Sequence, residues 1–252
     1  ETSQRQTRNK PEARQITRDV KDKAKTRQRQ ARNDPEASQR HARDEPEALF
    51  LFPPLVCFYA FYTLKNKQNK TSVRLYFKQF FILMGVSTFL GAFFGHAFSY
   101  ALSDLWKTPY WCISMIAVAF AERTAINLAA STIHPKYVRY FKWVNILELL
   151  VFMIFACYKL NFLYVLVHSA YGILGVTGAF YLYILLRQQR KGSTFFLKGI
   201  GFSLVGAAIF LSQLCIGRWF NYMDISHVLM AISAWYFYKG SVFFIDDTKL
   251  TV

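Results

Sequence analysis

The chain has 252 residues, of which 53% are hydrophobic and 18% aromatic, and its formal charge is +16. Apolar residues held in long blocks, with charges confined to one N-terminal run and short connections, exclude an ordinary soluble domain and match the membrane pattern. The basic excess then reads as Lys- and Arg-rich loops beside a bilayer, and no nucleic-acid partner is expected.

Residues 1–47 are dominated by Arg, Gln, Lys, Asp and Glu, with near-repeats RNKPEA at 8–13, RNDPEA at 32–37 and RDEPEA at 43–48. This composition cannot bury enough apolar surface to offset its ordering entropy, so a disordered charged tail is expected. Its acids interleave with its bases and it holds no aromatic residue to stack on a nucleobase. It has neither the apolar core of a signal peptide nor the acid-poor character of a transit peptide. The chain begins at Glu1, and whether this tail is native is left open.

From Ala48 the character changes. Seven apolar segments follow, at about 48–64, 77–102, 109–130, 140–160, 162–186, 195–216 and 225–245. A spanning helix needs roughly 20 mostly apolar residues. The pattern predicts an all-α membrane protein, a seven-transmembrane-helix bundle over 48–252. The first segment is short and contains Pro53 and Pro54. The second, whose stretch Phe80 to Asp104 carries no charge over its first two-thirds, is expected to be the organising helix. At helical offsets His96, Ser99 and Ser103 share one of its faces, and Gly91 and Gly95 allow a neighbour to approach closely.

The four cysteines, Cys57, Cys112, Cys157 and Cys215, all fall in apolar segments and show no metal-type spacing. Packing is the preferred reading. Cys112 and Cys157 fall near the outer ends of neighbouring helices, where a disulfide is the alternative.

Orientation follows from basic residues in the connections. Lys65, Lys67, Lys70, Arg74 and Lys78 follow segment one. Lys136, Arg139 and Lys142 follow segment three, and Arg187, Arg190, Lys191 and Lys198 follow segment five. The alternate connections carry Lys107, Lys159 and Arg218, one each. The N-terminus is therefore expected outside and the C-terminus in the cytoplasm.

Depth can be counted at about 1.5 Å per residue. On that count His96, His168 and His227, from three helices, converge in the outer third, together with Asp104, Asp224, Ser212 and Gln213. Three imidazoles with an open fourth position is a catalytic zinc arrangement. The alternative is that each histidine bonds a neighbouring helix. A second polar layer, nearer the cytoplasm, comprises Glu122, Arg123, Thr124 and Asn127 on segment three and Asn145 and Glu148 on segment four. There Arg123 is expected to pair with Glu122 or Glu148, more as an interhelical clamp than as a proton or ion path.

GAFFGH (Gly91 to His96) and DISHVLMA (Asp224 to Ala231) resemble the helix-two and helix-seven elements of the CREST superfamily, which includes alkaline ceramidases and adiponectin-receptor-type proteins. Those proteins carry Ser-x-x-x-His on helix two, an Asp shortly after it, and His-x-x-x-His on helix seven. Here Ala92 stands at the serine position, and Met223 and Ala231 flank His227 at four residues to either side. The resemblance implies seven helices, an N-outside orientation, and a zinc-bound water that hydrolyses a lipid amide or similar bond.

Two functions are carried forward. One is a zinc-dependent membrane hydrolase acting on a lipid amide or ester. His96, His168 and His227 would be its metal ligands, and Asp104 or Asp224 would orient a ligand or act as general base. The other is a non-enzymatic membrane receptor, sensor or scaffold with a degenerate site. Membrane lipid is the expected partner in both.

Overall fold

A computed structural model of the chain describes residues 47–67, 71–97, 103–216 and 221–247. The N-terminal tail expected to be disordered lies outside the described residues, apart from Glu47.

The described residues are helical and contain no strand. Six helices are long and apolar enough to cross a membrane, and a shorter apolar helix covers Leu49–Lys65. The architecture is that expected of an integral membrane protein: backbone polar groups are satisfied within helices, as a bilayer requires.

A 3₁₀ turn, Glu47–Leu51, leads into α1, Phe52–Lys65. Pro53 and Pro54 stand in the first turn of α1, where a missing N–H is harmless, so they start the helix rather than break it. Helix α2, Ser72–Leu90, is capped by the Thr71 side chain. Its Arg74 guanidinium donates back to the carbonyls of Leu64 and Lys65, closing the end of α1. Beyond Leu90 the chain continues as a π-helical turn, Gly91–Ala97.

Helix α3 is Thr108–Ala129 and α4 is Pro135–Lys159, the latter capped by His134. Helix α5, Phe162–Gln188, carries a π-helical stretch at Tyr171–Thr177. Helices α6, Lys191–Ser212, and α7, Tyr222–Asp246, complete the set. Leu160, Gln189 and Gln213 turn the chain in left-handed conformations at the ends of α4, α5 and α6.

The organising helix is α3 and not the one that carries His96. Over their most apolar stretches α3 is 61% buried, whereas α2 is 28% and α4 is 11% buried. Alanines at 117, 119, 121, 125 and 129 make α3 slim enough for neighbours to approach from several sides. Helices α2, α4 and α5 pack on it, and α4 lies at the edge against α3 and α5.

Helices α6 and α7 form the most intimate pair. Gly192, Gly199 and Gly206 on α6 recur every seven residues, as do Ser226, Ser233 and Gly240 on the antiparallel α7. A Cβ on Gly199 would lie 2.6 Å from the Phe237 ring and 3.1 Å from the Ser233 carbonyl. The two backbones are thus too close for a side chain there, and a Ser203–Ser233 hydroxyl hydrogen bond of 2.7 Å crosses the seam. Gly91, expected to serve such an approach, meets the Tyr110 ring at an ordinary 3.7 Å, while Gly85 fills that role against Phe58 and Cys57 on α1.

Phe196 on α6 stacks on Tyr181 of α5 (4.0 Å between centroids), Phe237 of α7 (5.2 Å) and Phe77 of α2 (5.5 Å). This aromatic column ties four helices together.

Candidate buried acid–histidine site

Three helices contribute polar groups to one place beside α3. Met115, Val118 and Glu122 recur at helical spacing on one face of α3, and Asn145 and Glu148 are three apart on α4. His168 and Gly172, four apart on α5, complete the set. Glu122 is 1% exposed and His168 is fully buried. Glu148 keeps 10% of its side chain exposed. Ionisable groups inside a span are costly and are expected to be paired.

His168 is held from both sides. Its Nε2 lies 3.1 Å from the Met115 carbonyl, and its Nδ1 lies 2.6 Å from Glu148 Oε1. A carbonyl can only accept, so Nε2 carries a proton and donates it to Met115. A lone pair on Nδ1 facing an ionised carboxylate would leave two acceptors in contact. One proton therefore lies between Nδ1 and Glu148. Either an imidazolium N–H donates to the carboxylate, or the carboxylic O–H donates to a neutral ring.

Asn145 Nδ2 donates to Glu122 Oε2 at 3.1 Å. Glu122 Oε1 and Glu148 Oε2 are both buried and have no hydrogen-bond partner. An unpaired buried carboxylate oxygen is costly, and a native structure that keeps one invites a ligand. Room for Glu122 comes from Gly172, where a Cβ would overlap Glu122 Oε1 and Val118 Cγ1. The π-helical stretch that begins at Tyr171 sits at this position, as such stretches often do at functional sites.

One ligand-type atom from each of Glu122, Glu148 and His168 lies within 4.8 Å of the others. Two carboxylates and an imidazole suit a divalent transition metal. With Nε2–H given to the Met115 carbonyl, Nδ1 is the ring nitrogen that would serve as the ligand to such an ion once its shared proton has left, and Met115 would then hold the usual place of a group behind a metal-binding histidine.

The expected residues are distributed differently from the depth count. His168 belongs with the acidic layer. Counted from the turn between α4 and α5, His168 is about 9 Å deep and Glu148 about 16 Å, and two long side chains span that gap. His227 donates from Nδ1 to the Met223 carbonyl at 2.7 Å and packs edge-on against Phe50. Asp224 is buried at the start of α7, where its Oδ2 accepts from the Asn221 N–H in a capping box. No group of three or more ligand-type side chains among the described residues includes His227 or Asp224. The backbone of His96 lies in the Gly91–Ala97 turn and that of Asp104 in a 3₁₀ turn, Asp104–Lys107. The side chains of both lie outside what is described, as does Ser99. Arg123 does not provide the partner expected of it. His168 pairs with Glu148, and Asn145 with Glu122.

These features define an all-helical protein of membrane type with a buried acid–histidine site. The chain belongs to a family of unknown function, DUF6962, whose model matches residues 54–244. No curated protein and no solved structure matches it.

Proposed function

We propose that the protein is an integral membrane metalloprotein that holds a divalent metal, zinc in the first instance, at Glu122, Glu148 and His168. The observation that carries this reading is the pair of unpartnered buried oxygens, Glu122 Oε1 and Glu148 Oε2, beside a histidine of fixed tautomer. Three protein donors and an open position are what a hydrolytic zinc site needs, and an ion held there would supply an activated water. The residues of the chain do the rest. Met115 orients His168, Asn145 orients Glu122, and Gly172 leaves room for the Glu122 carboxylate. Helix α4, mostly exposed along its length, gives a lipid lateral access to Glu148. The substrate class on this reading is a lipid amide or ester, with seven spans, the N-terminus outside and the C-terminus cytoplasmic, in the manner of the CREST group.

A second reading is favoured by a different observation. The 3₁₀ turn Glu47–Leu51 packs on both the Gly91–Ala97 turn and α7. The backbone that carries His96 and the helix that carries His227 thus converge on one neighbour, as a CREST-type ligand set would need. The non-enzymatic alternative makes the Glu122–Asn145 and Glu148–His168 bonds a clamp that joins α3, α4 and α5.

The test is metal content and turnover of lipid amides and esters by reconstituted protein. Metal and turnover lost together in E122Q, E148Q and H168A support the first reading. Loss in H96A and H227A instead supports the second. A folded protein with neither metal nor turnover leaves the clamp.

A further inference from the structure

Cys112 on α3 and Cys157 on α4 bring their sulfurs to 3.5 Å from one another. They belong to antiparallel neighbours, with Cys112 ten residues before Glu122 and Cys157 nine residues after Glu148. The thiols therefore sit at one end of the same seam whose middle holds the buried acids. The seam between them is well packed. Trp111, Met115, Ala156 and Val165 are buried there, with Leu149, Phe152 and Met153 against them. Neither sulfur is sealed in, since Cys112 is half-buried and Cys157 exposed. Cys157 lies two residues before the end of α4 at Lys159, within reach of water at the membrane surface.

We infer that Cys112 and Cys157 form an interhelical disulfide that fastens α4 to α3. A disulfide sulfur pair is about 2.05 Å apart, so closure needs an approach of about 1.5 Å, within what rotation of the two side chains supplies. The reaction is thiol–disulfide exchange. The two thiols give up two protons and two electrons, one Cys–Cys S–S bond forms, and a small-molecule or protein disulfide on the outer side is reduced to two thiols. The consequence is mechanical. Helix α4 is the edge helix, only 11% buried over its apolar stretch, and it carries both Asn145 and Glu148. A covalent tie at its outer end keeps those two side chains against α3. Cys57, buried between α1 and α2, has no such neighbour among the described cysteines.

The inference is independent of the metal reading and rests on the proposed orientation, because disulfides persist on the oxidising side of a membrane. The test is a thiol census on the full chain. Cells are quenched in acid, free thiols are blocked with N-ethylmaleimide, and the detergent-purified protein is digested without reductant. Most of the protein is expected to yield a linked Cys112–Cys157 peptide, with Cys57 and Cys215 alkylated. Reductant should lower the unfolding midpoint of the linked protein, and should leave that of Cys112→Ser unchanged. Recovery of Cys112 and Cys157 both alkylated overturns the disulfide. Incubation of a parallel sample, purified reduced and without N-ethylmaleimide, with glutathione disulfide then locates the error. Rapid cross-linking would put the outer ends on the reducing side, against the orientation, and no cross-linking would mean that the thiols do not meet.

Discussion

His168 Nδ1 and Glu148 Oε1 lie 2.6 Å apart, with the far side of the same imidazole donating to the Met115 carbonyl. The geometry requires a proton between histidine and carboxylate, inside a helix bundle and next to a second carboxylate, Glu122. Three helices meet at this point, so the pair is an interhelical bond and, on the function proposed above, also part of a metal-donor set whose occupancy that proton would set.

Glu148→Ala and Glu148→Gln should separate those two roles. Alanine strands a buried imidazole nitrogen, and breaking a buried pair costs about 3 kcal/mol. Glutamine can donate its amide to a neutral Nδ1, so its unfolding midpoint in detergent should fall near wild type. Both variants should lose the metal, because neither supplies an anionic oxygen.

Metal uptake should release the proton shared by His168 and Glu148, since the ion takes the Nδ1 lone pair and the carboxylate. Affinity should therefore weaken as pH falls and the proton competes. Calorimetry of zinc binding in buffers of different ionisation enthalpy reads this directly, with about one proton released per ion. A binding enthalpy that does not change with the buffer would contradict the assignment of the proton.

Gly172→Ala places a methyl group onto Glu122 Oε1 and Val118 Cγ1. Overpacking of this kind costs about 1–3 kcal/mol, and the displaced carboxylate should weaken metal retention. Gly201→Ala, with nothing within 4 Å of the added Cβ, is the matched control and should be close to neutral.

Along the α6–α7 seam, Gly199→Leu would drive a side chain into Phe237 and the Ser233 carbonyl. The helices must separate or the aromatic column around Phe196 must shift. The variant is expected to unfold at a much lower temperature in detergent, or to fail to accumulate. Ser203→Ala removes one exchangeable hydroxyl bond across the same seam and should cost about 1 kcal/mol.

Much of the helical layout could be read in the chain because apolar runs and their charged connections obey simple length rules. The six long helices fall where the segments from 77 to 245 predicted them, with π-helical turns that no composition signals. The candidate site was half legible. Glu122, Glu148 and Asn145 stood out as polar residues in apolar helices, and His168 stood out as a histidine, but a count of depth along straight helices placed them in separate layers. Side-chain reach joined them. Opposite charge points to Arg123 as the partner of the acids, whereas the helix faces present His168 to Glu148 and Asn145 to Glu122. The seven-residue spacing of Gly192, Gly199 and Gly206 against Ser226, Ser233 and Gly240 was a readable signal for the tightest seam. Gly91 and Gly95, four apart beside a histidine, are the more conspicuous pair in the sequence, but Gly91 meets only an ordinary contact with Tyr110.

The most direct measurement is the metal content of the full chain, purified in detergent without chelator, beside E122Q, H168A and H227A. The account predicts about one divalent ion per chain in wild type and in H227A, and none in E122Q or H168A. Folded wild-type protein without metal, or metal kept in E122Q and H168A and lost in H227A, would contradict it.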